Sequence, residues 1–255
     1  MKISKILPFR LKSERFPNKP LSKIFNKTLL ENSICISEKI NYGKTILTCS
    51  EKDFNKVQNE VDLKKYNFNF LPSSSSCSCA TDRVLEIYDK LDSDIFISIP
   101  IDEALLIPEE INNVILNISN YDFDVLTFYC NFYNKEDAIS KLSAKITTNK
   151  NQEILYLSRS IIPITKNGDI KLNNLKKNVG VFFFKKHFLD KLKLKHNVET
   201  TLDKIEGLEQ LRWLELGFKI KILKIKHYGF GIDIPEQIKL LEDRRKCSQK
   251  QQKSE

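Results

Sequence analysis

One short run, D-I-F-I-S-I over residues 94–99, constrains the fold more than any other part of the sequence. Its apolar residues follow one another almost without interruption, which predicts a strand buried on both faces rather than one with a solvent-facing side. Pro108 and the two glutamates after it begin a helix that we predict to extend to residue 118. A buried strand followed by a helix is typical of α/β proteins with a parallel sheet.

The N-terminal half repeats this alternation of strands and helices. Strands are predicted over residues 3–9, 44–49 and 66–71, and helices over residues 51–61 and 79–91. Strand-like runs dominate residues 123–184, which we interpret as a β-rich extension of the sheet. Helices return over 201–216 and 235–243, around a strand over 218–225. The predicted fold class is therefore α/β, a three-layer α/β/α domain with a mostly parallel, Rossmann-like sheet.

The composition is that of a soluble globular protein, with 41% hydrophobic and 29% charged residues among 255. The apolar runs fall far short of the roughly 20 residues that cross a bilayer, and no secretion signal is recognisable, so we expect a cytoplasmic protein. We predict one domain over residues 1–243 and a basic polar tail over 244–255, which holds part of the net charge of +9. The body lacks a Lys/Arg stripe with interleaved aromatics, which disfavours a nucleic-acid groove and favours a small anionic ligand.

Four loops follow the carboxyl ends of predicted strands, where ligands bind in open parallel sheets. The first, residues 6–21, carries Arg10, Lys12, Arg15 and Lys19 among three prolines. The second, residues 72–83, is rich in serine and ends in an arginine, and the loops at 100–103 and 227–236 carry acids. Cations and hydroxyls suit phosphate groups, and carboxylates beside phosphates suit Mg²⁺.

These loops also carry a family resemblance. The run I-L-P-F-R-L-K-S-E-R-F-P-N-K-P-L resembles I-P-A-R-x-x-S-x-R-x-P-G-K-P-L, the opening motif of the 3-deoxy-manno-octulosonate cytidylyltransferases. Further along, A-T-D-R resembles their G-T-x-R, L-Y-L-S-R-S-I-I-P resembles Y-F-S-R-x-x-I-P, and G-I-D-I-P-E resembles G-V-D-T-P-E. L-E-Q-L-R matches outright, and the motifs keep their order over residues 6–242.

The resemblance implies a single nucleotidyltransferase domain of the nucleotide-diphospho-sugar transferase type, usually dimeric, with residues 123–184 serving sugar binding and dimerisation. Such enzymes transfer CMP from CTP to 3-deoxy-manno-octulosonate (KDO), an acidic eight-carbon sugar, and release pyrophosphate, for lipopolysaccharide or surface polysaccharide biosynthesis. Arg10 and Lys19 would bind the triphosphate, and Asp102 and Asp233 would hold Mg²⁺. The other nucleotide-binding positions implied are Pro8, Ser13, Arg15, Ser73, Thr81 and Arg83. The sugar-binding positions implied are Arg159, Asn178, Glu209 and Gln210.

The chain departs from the family pattern mainly on the sugar side. Where the family has Q-G-D-E-P this chain has P-I-D-E-A, so Pro100 replaces a glutamine near the nucleotide. Where the family has H-L-G-I-Y-x-Y this chain has N-V-G-V-F-F-F, which removes a histidine and two tyrosine hydroxyls. Because sites built to pair a hydroxyl discriminate strongly for it, we expect a different acidic sugar or altered activity.

Simpler interpretations of the same residues remain open at this point. The cations of the first loop would also suit a solvated loop, and Asp233 would suit the cap of a helix that begins at Pro235. Glu209 and Gln210 would suit the exposed face of a helix. A catalytically silent homologue that binds a nucleotide or a partner is the alternative function, and a nucleic-acid-associated protein that uses its basic tail is a third.

Overall fold

The computed structural model describes residues 1–226 and 231–251, with side chains described as far as residue 243. Its strands are β1 (Ile3–Pro8), β2 (Lys23–Ile24), β3 (Lys27–Thr28), β4 (Lys44–Thr48), β5 (Asn69–Phe70), β6 (Ile95–Ser98), β7 (Val125–Cys130), β8 (Lys145–Thr148), β9 (Ile154–Ser158), β10 (Lys176–Lys185) and β11 (Ile220–Lys224). Its α-helices are α1 (Leu29–Glu38), α2 (Glu51–Glu60), α3 (Ala80–Leu85), α4 (Pro108–Leu116), α5 (Lys135–Ile139), α6 (Lys186–Leu194), α7 (Leu202–Glu206), α8 (Glu209–Glu215) and α9 (Glu236–Gln251).

One large sheet organises the described residues, in the order β11-β7-β10-β6-β1-β4-β5. Strands β5, β4, β1 and β6 run parallel to one another, as do β7 and β11. Strand β10 lies antiparallel between β6 and β7. The carboxyl ends of β1, β4 and β6 therefore meet at one edge of the sheet, as the sequence predicted.

Helices cover both faces of this sheet, which confirms the three-layer α/β/α class. Alternation along the strands separates the two cores. Leu7, Leu47 and Ile97 face one core, whereas their neighbours in β1, β4 and β6 face the other. Apolar residues of α1, α2 and α4 pack in the first core, and those of α3, α6 and α8 pack in the second.

The region predicted as a β-rich extension is divided between the sheet and its margin. Strands β7 and β10 belong to the main sheet, and only β8 and β9 extend it by pairing beside the start of β10. Phe182, Phe183 and Phe184 are all buried, because β10 has a strand on each side and a core on each face. This run of aromatics is the signature of an interior strand.

Three predicted elements are shorter or broken. The strand over 66–71 is reduced to β5, and the helix over 79–91 ends at Leu85, with a 3₁₀ turn at Tyr88–Lys90. The helix over 201–216 is divided into α7 and α8 at Gly207, whose φ of 63° closes the C-terminus of α7. That break matters for the site, because it places Glu209 at a helix start.

Three helices were not predicted, and one of them is the short helix α5 inside the region predicted as β-rich. Helix α1 begins with a capping box in which the Thr28 side chain accepts from the Glu31 backbone and the Glu31 side chain accepts from the Thr28 backbone. The spacing T-x-x-E before an apolar run was the signal for it. Helix α6 buries Phe188, Leu189 and Leu192 at helical spacing directly after β10.

The C-terminal helix α9 continues to Gln251, past the residue 243 at which the sequence analysis ended it. It therefore enters the predicted tail, whose side chains and last residues, 252–255, lie outside the described part. The loop predicted over 227–236 is described only from Gly231 onward. None of the helices described is both long enough and apolar enough to span a membrane.

Candidate functional site

The first loop after β1 is folded by its own hydrogen bonds. Asn18 N–H donates to the carbonyl oxygen of Leu11 over 2.9 Å, and the Phe16 N–H donates to Ser13 Oγ over 3.3 Å. Asn18 holds the left-handed conformation with φ 54°, at the position where the family motif has glycine. A 3₁₀ turn at Lys19–Leu21 follows. These contacts order the backbone that carries the cations, so the loop is more than a solvated connection.

Arg10, Arg15 and Lys19 line a cleft of about 220 Å³ at the carboxyl edge of the sheet, which we call the first cleft. Lys12 is exposed and does not line it. The lining combines residues from four separate segments of the chain: Pro8, Phe9, Arg10, Ser13, Arg15, Lys19, Ser78, Cys79, Ala80, Arg83, Ile101, Asp102 and Asp233. The structure thus brings together eight of the predicted site residues.

Two ion pairs join the cations of this loop to the two predicted metal ligands. Lys19 Nζ donates to Asp102 Oδ2 over 2.6 Å, and Arg15 donates to Asp233 Oδ1 over 3.0 Å. Both acids lie in loops at the edge of the sheet, and the Ile232 N–H donates to the Asp102 carbonyl oxygen over 3.1 Å. The two acidic loops are therefore linked directly.

Burial and nearby charges shift the pKa of Asp233. Burial raises the pKa of this carboxyl, and the negative charge of Asp102 raises it further, whereas Lys19 and Arg15 act in the opposite direction. Gln237 on α9 accepts from the backbone N–H groups of Asp233 and Ile234 over 2.6 and 3.0 Å. Gln237 thus fixes the turn that precedes α9, and the carboxylate of Asp233 points instead to Arg15.

The serine-rich loop is held in place by Arg83. This buried side chain donates to Ser73 Oγ over 3.2 Å, to the Ser74 carbonyl oxygen over 3.0 Å and to the Cys77 carbonyl oxygen over 3.4 Å. Ser73 is buried and does not line the first cleft. Of Ser73 and Arg83, only Arg83 borders the first cleft. Its hydrogen bonds shape the loop that carries Ser78.

Two motifs that are far apart in the sequence contact each other. In A-T-D-R, the Thr81 N–H donates to Glu209 Oε2 over 3.1 Å, and Asp82 pairs with Arg212 over 3.4 Å. Glu209 and Arg212 belong to L-E-Q-L-R. Burial raises the pKa of Glu209, against hydrogen bonds from Cys79 and Thr81. This contact joins the start of α3 to the start of α8.

Neither Thr81 nor Glu209 lines a described cleft at this edge, and Gln210 is buried beside them. In the structure none of these three predicted positions lines either cleft. Their roles toward a ligand remain predictions.

A second cleft, of about 160 Å³, adjoins the first, and Asp102 and Asp233 line both. Arg159 and Asn178, predicted on the sugar side, line the second cleft. Its other lining residues are Glu103, Asp137, Leu142, Ser143, Ala144, Lys177, Gly180, Leu208, Gly231 and Gln237. Asp102 and Asp233 thus lie between the first cleft, which is rich in cations, and the second cleft, whose lining combines acidic, basic and apolar residues.

Arg159 builds the wall of the second cleft from two loops. Its guanidinium donates to the carbonyl oxygens of Glu206 over 2.8 Å, Lys141 over 2.9 Å and Gly207 over 3.1 Å. Its own N–H donates to the Glu206 carboxylate over 2.9 Å. Arg159 therefore orders residues 141–142 and 206–207 around the cleft.

Sequence reasoning missed three lining residues of the second cleft. Glu103 is buried, and its Oε1 accepts from the Gly180 N–H over 3.2 Å, at the irregularity in β10. Asp137 and Lys177 form an ion pair whose side chains are 14% and 8% exposed. The D-E pair in the third loop was visible in the sequence, but nothing in it linked Asp137 to Lys177.

The departures from the family pattern have different structural settings. Phe182 and Phe184, at the two tyrosine positions, pack edge-on against Trp213 with ring centroids 5.2 and 5.4 Å away. They belong to the core and line neither cleft. Asn178, at the histidine position, borders the second cleft.

A larger cavity of about 720 Å³ lies at the opposite edge of the sheet, and the residues that line it include none of the predicted site residues.

Comparisons with known proteins identify the family of this chain. A family profile described as "Cytidylyltransferase" matches residues 5–222. The chain is 33% identical to a 3-deoxy-manno-octulosonate cytidylyltransferase of Fusobacterium nucleatum, over 93% of this chain and 94% of that protein. It is 30% identical to the enzyme of the same name from Parabacteroides distasonis, over 93% and 96% of the two chains.

A solved structure of CMP:2-keto-3-deoxy-manno-octonic acid synthetase, in complex with CTP, has the same fold. The superposition has a TM-score of 0.83, at 22% sequence identity, and covers 97% of this chain and 100% of the other. The order of motifs, the fold and the profile that spans most of the chain agree, and the chain belongs to the cytidylyltransferase family.

Proposed function

We propose that this protein transfers CMP from CTP to KDO or a related acidic sugar and releases pyrophosphate. One observation carries the proposal: a cleft lined by four cations meets a second cleft at the two acids Asp102 and Asp233. The first cleft suits a triphosphate, whose oxygens pair with guanidinium and ammonium groups. The second suits the acceptor, and the relatives at 30% and 33% identity bear the name of the KDO enzyme.

The reaction exchanges one bond to phosphorus for another. The anomeric hydroxyl oxygen of the sugar attacks the α-phosphorus of CTP, the bond to the bridging oxygen of the β-phosphate breaks, and pyrophosphate leaves with that electron pair. The hydroxyl gives up its proton to the solvent or to one of the carboxylates that line both clefts. Because three anionic groups share the site, the barrier is mainly electrostatic, and Arg10, Arg15 and Lys19 supply compensating charge.

Magnesium is part of the proposal. Asp102 and Asp233 would hold the ion, since two carboxylates in one cleft, one of which has a pKa raised partly by the other, suit a divalent cation. When bound, Mg²⁺ would neutralise phosphate charge and align the reacting groups. The ion pairs Lys19–Asp102 and Arg15–Asp233 would then break. The two acids would bind the ion, and the two cations would bind phosphate oxygens.

The proposal extends to the oligomeric state of the protein and to its cellular compartment. The family resemblance supports a homodimer that works in the cytoplasm and supplies lipopolysaccharide or surface polysaccharide biosynthesis. Light scattering coupled to gel filtration measures the oligomeric state, and a monomer at micromolar concentration would contradict that part. Activity toward the sugar is proposed to differ from the family's, because Asn178, at the histidine position, lines the second cleft.

Pyrophosphate release tests the function. The purified protein is assayed with CTP, UTP and ATP against KDO and other ulosonic acids, with and without Mg²⁺, and Asp102→Ala serves as the inactive variant. We expect release with CTP and at least one acidic sugar, dependent on Mg²⁺ and abolished in Asp102→Ala. CTP binding without release across the whole panel would instead support the silent homologue.

A further inference from the structure

The inner wall of the second cleft contains a buried ion pair that the reaction scheme above does not use. Lys177 Nζ lies 2.8 and 2.9 Å from the two carboxylate oxygens of Asp137. Lys177 belongs to β10 and Asp137 to α5, so the pair joins two elements 40 positions apart in the chain. Both residues line the cleft together with Asp102 and Asp233.

The pair is held on several sides. Ser143 Oγ donates to Asp137 Oδ1 over 3.3 Å, and Lys177 Nζ lies 5.7 Å from the centre of the Phe132 ring. Ser143 also lines the cleft. The ammonium therefore has a defined position, which is what selective recognition of a ligand requires.

Stability alone is a weak reason for such a pair. Taking two charges out of water costs about as much as their attraction returns, so buried ion pairs seldom add net stability over apolar residues of similar size. The position of the pair on a cleft wall, beside Asp102 and Asp233, points instead to a role in binding.

The cations near this wall differ in their hydrogen-bond partners. The Arg159 guanidinium donates to backbone carbonyl oxygens of two loops. Lys145 Nζ donates to three, those of Ser140, Ser143 and Arg159, and does not line the cleft. Lys177 is the cation here that lines the cleft and is oriented by a carboxylate side chain.

Other charged groups surround the pair. Burial lowers the pKa of Lys145 to about 8, and the positive charges of Lys177 and Arg159 lower it further, against Asp137 and Glu206. Lys145, Lys177 and Arg159 thus lie near Asp137 and Glu206, and a third acid, Glu103, also lines the cleft. On the facing side Asp102 and Asp233 are paired with Lys19 and Arg15.

We propose that Lys177, oriented by Asp137, binds the carboxylate of the acidic sugar and determines which acidic sugar is accepted. This inference rests on the proposed function. The ammonium would share its N–H donors between Asp137 and the ligand carboxylate, while Ser143 and Asn178 face the same cleft as candidates for sugar hydroxyls. The pair would thereby contribute polar recognition where the family's histidine is absent.

The test uses the double variant Lys177→Met with Asp137→Asn, because removing one partner alone would leave a buried charge. Lys177→Arg keeps the charge and serves as the conservative variant. Lys176→Met is the matched control, since Lys176 is the adjacent residue on the same strand, donates to Thr148 Oγ1 and does not line the cleft. Circular dichroism and thermal unfolding confirm that each variant is folded.

Two readouts are compared. Turnover gives KM for CTP and for each acidic sugar, and calorimetry gives the affinity of each sugar acid for protein loaded with a CTP analogue whose α,β-bridging oxygen is a methylene. In the double variant we expect the KM of the sugar acid to rise about 10- to 100-fold, because one charge-assisted hydrogen bond is lost. The KM for CTP should change less than about twofold. Lys177→Arg should recover part of the loss with an altered order of preference among sugars.

The outcomes separate the two proposals. If the wild type turns over and the double variant keeps its sugar KM, the inference is overturned and the proposed function stands. If the wild type binds a sugar acid without turnover and the double variant loses that binding, the inference stands and the proposed function is overturned. If the wild type neither binds nor converts any acidic sugar of the panel, both are overturned.

Discussion

Lys19 donates a hydrogen bond from its ammonium to the carboxylate of Asp102 over 2.6 Å, across 83 positions of the chain. The predicted phosphate-binding cation and the predicted metal ligand therefore contact each other directly. In the structure each neutralises the other, with side chains 14% and 29% exposed. Binding of the triphosphate and the metal would replace this contact with two new ones, so Lys19 should act on catalysis more than on folding.

We predict that Lys19→Met lowers kcat/KM for CTP by roughly 100- to 1,000-fold, the usual loss when one positioned electrostatic group is removed. Pyrophosphate release at several CTP concentrations measures it. Lys12→Met is the matched control, because Lys12 is on the same loop but exposed and outside the first cleft, and it should change kcat/KM less than about twofold. Equal losses in the two variants would mean that only the general positive charge of the loop matters.

The sequence predicted the edge of the sheet that holds the site but few of the contacts within it. Buried runs such as residues 94–99 and the order of the motifs were enough for the fold class and for the loops after β1 and β6. The contacts Glu209–Thr81 and Lys177–Asp137 join residues 128 and 40 positions apart, and no local pattern distinguishes their side chains from exposed ones. Strand β10 was placed in an extension, because its position between β6 and β7 depends on pairing across long chain separations.

Asn18 should contribute to the stability of the first loop through its backbone conformation. Its φ of 54° is in the left-handed region, which costs most residues about 1–2 kcal/mol and is easier for asparagine and glycine. We predict that Asn18→Ala lowers the unfolding free energy by about 1 kcal/mol, whereas Asn18→Gly changes it by less than about 0.5 kcal/mol. Urea denaturation measures both.

The side chain of Asn18 also accepts from Lys56 Nζ over 3.1 Å, so the loss of that hydrogen bond needs its own control. Lys56→Met removes the donor and keeps the asparagine backbone. Because an exposed hydrogen bond of this kind contributes little, Lys56→Met should be close to neutral. If it destabilised the protein as much as Asn18→Ala, the backbone explanation would be wrong.

Glu31 should make stability depend on pH in the acid range. Burial alone would raise its pKa, but hydrogen bonds from the Thr28 N–H, Lys65, the Thr28 hydroxyl and Tyr66 lower it to about 2, from an ordinary 4.5. A carboxyl whose pKa is lowered by folding stabilises the folded state above its unfolded pKa, and that contribution is lost as pH falls toward the folded value. Here the window is from 4.5 down to about 2.

We therefore predict that Glu31→Gln lowers the unfolding free energy by up to about 3 kcal/mol at pH 7, and that the difference from wild type shrinks as pH falls through this window. Urea denaturation at a series of pH values measures the difference. Glu38→Gln, on the same helix, controls for the general effect of removing an acid. A constant difference between Glu31→Gln and wild type down to pH 2 would show that the charge of Glu31 is not the cause.

Arg159 should be replaceable neither by a neutral residue nor by lysine. Its planar guanidinium reaches the carbonyl oxygens of Glu206, Lys141 and Gly207, and a single ammonium cannot reproduce that geometry. We predict that Arg159→Lys raises the KM of the sugar acid about tenfold and lowers the unfolding free energy by about 1–2 kcal/mol, the loss of one or two hydrogen bonds. KM for CTP should stay within about twofold, because Arg159 lines the second cleft and not the first.

Lys166→Met, in an exposed part of the loop after β9, is the control for removing a cation that is nearby in the sequence. A parallel rise of both KM values in Arg159→Lys would show that the two clefts do not bind their ligands separately.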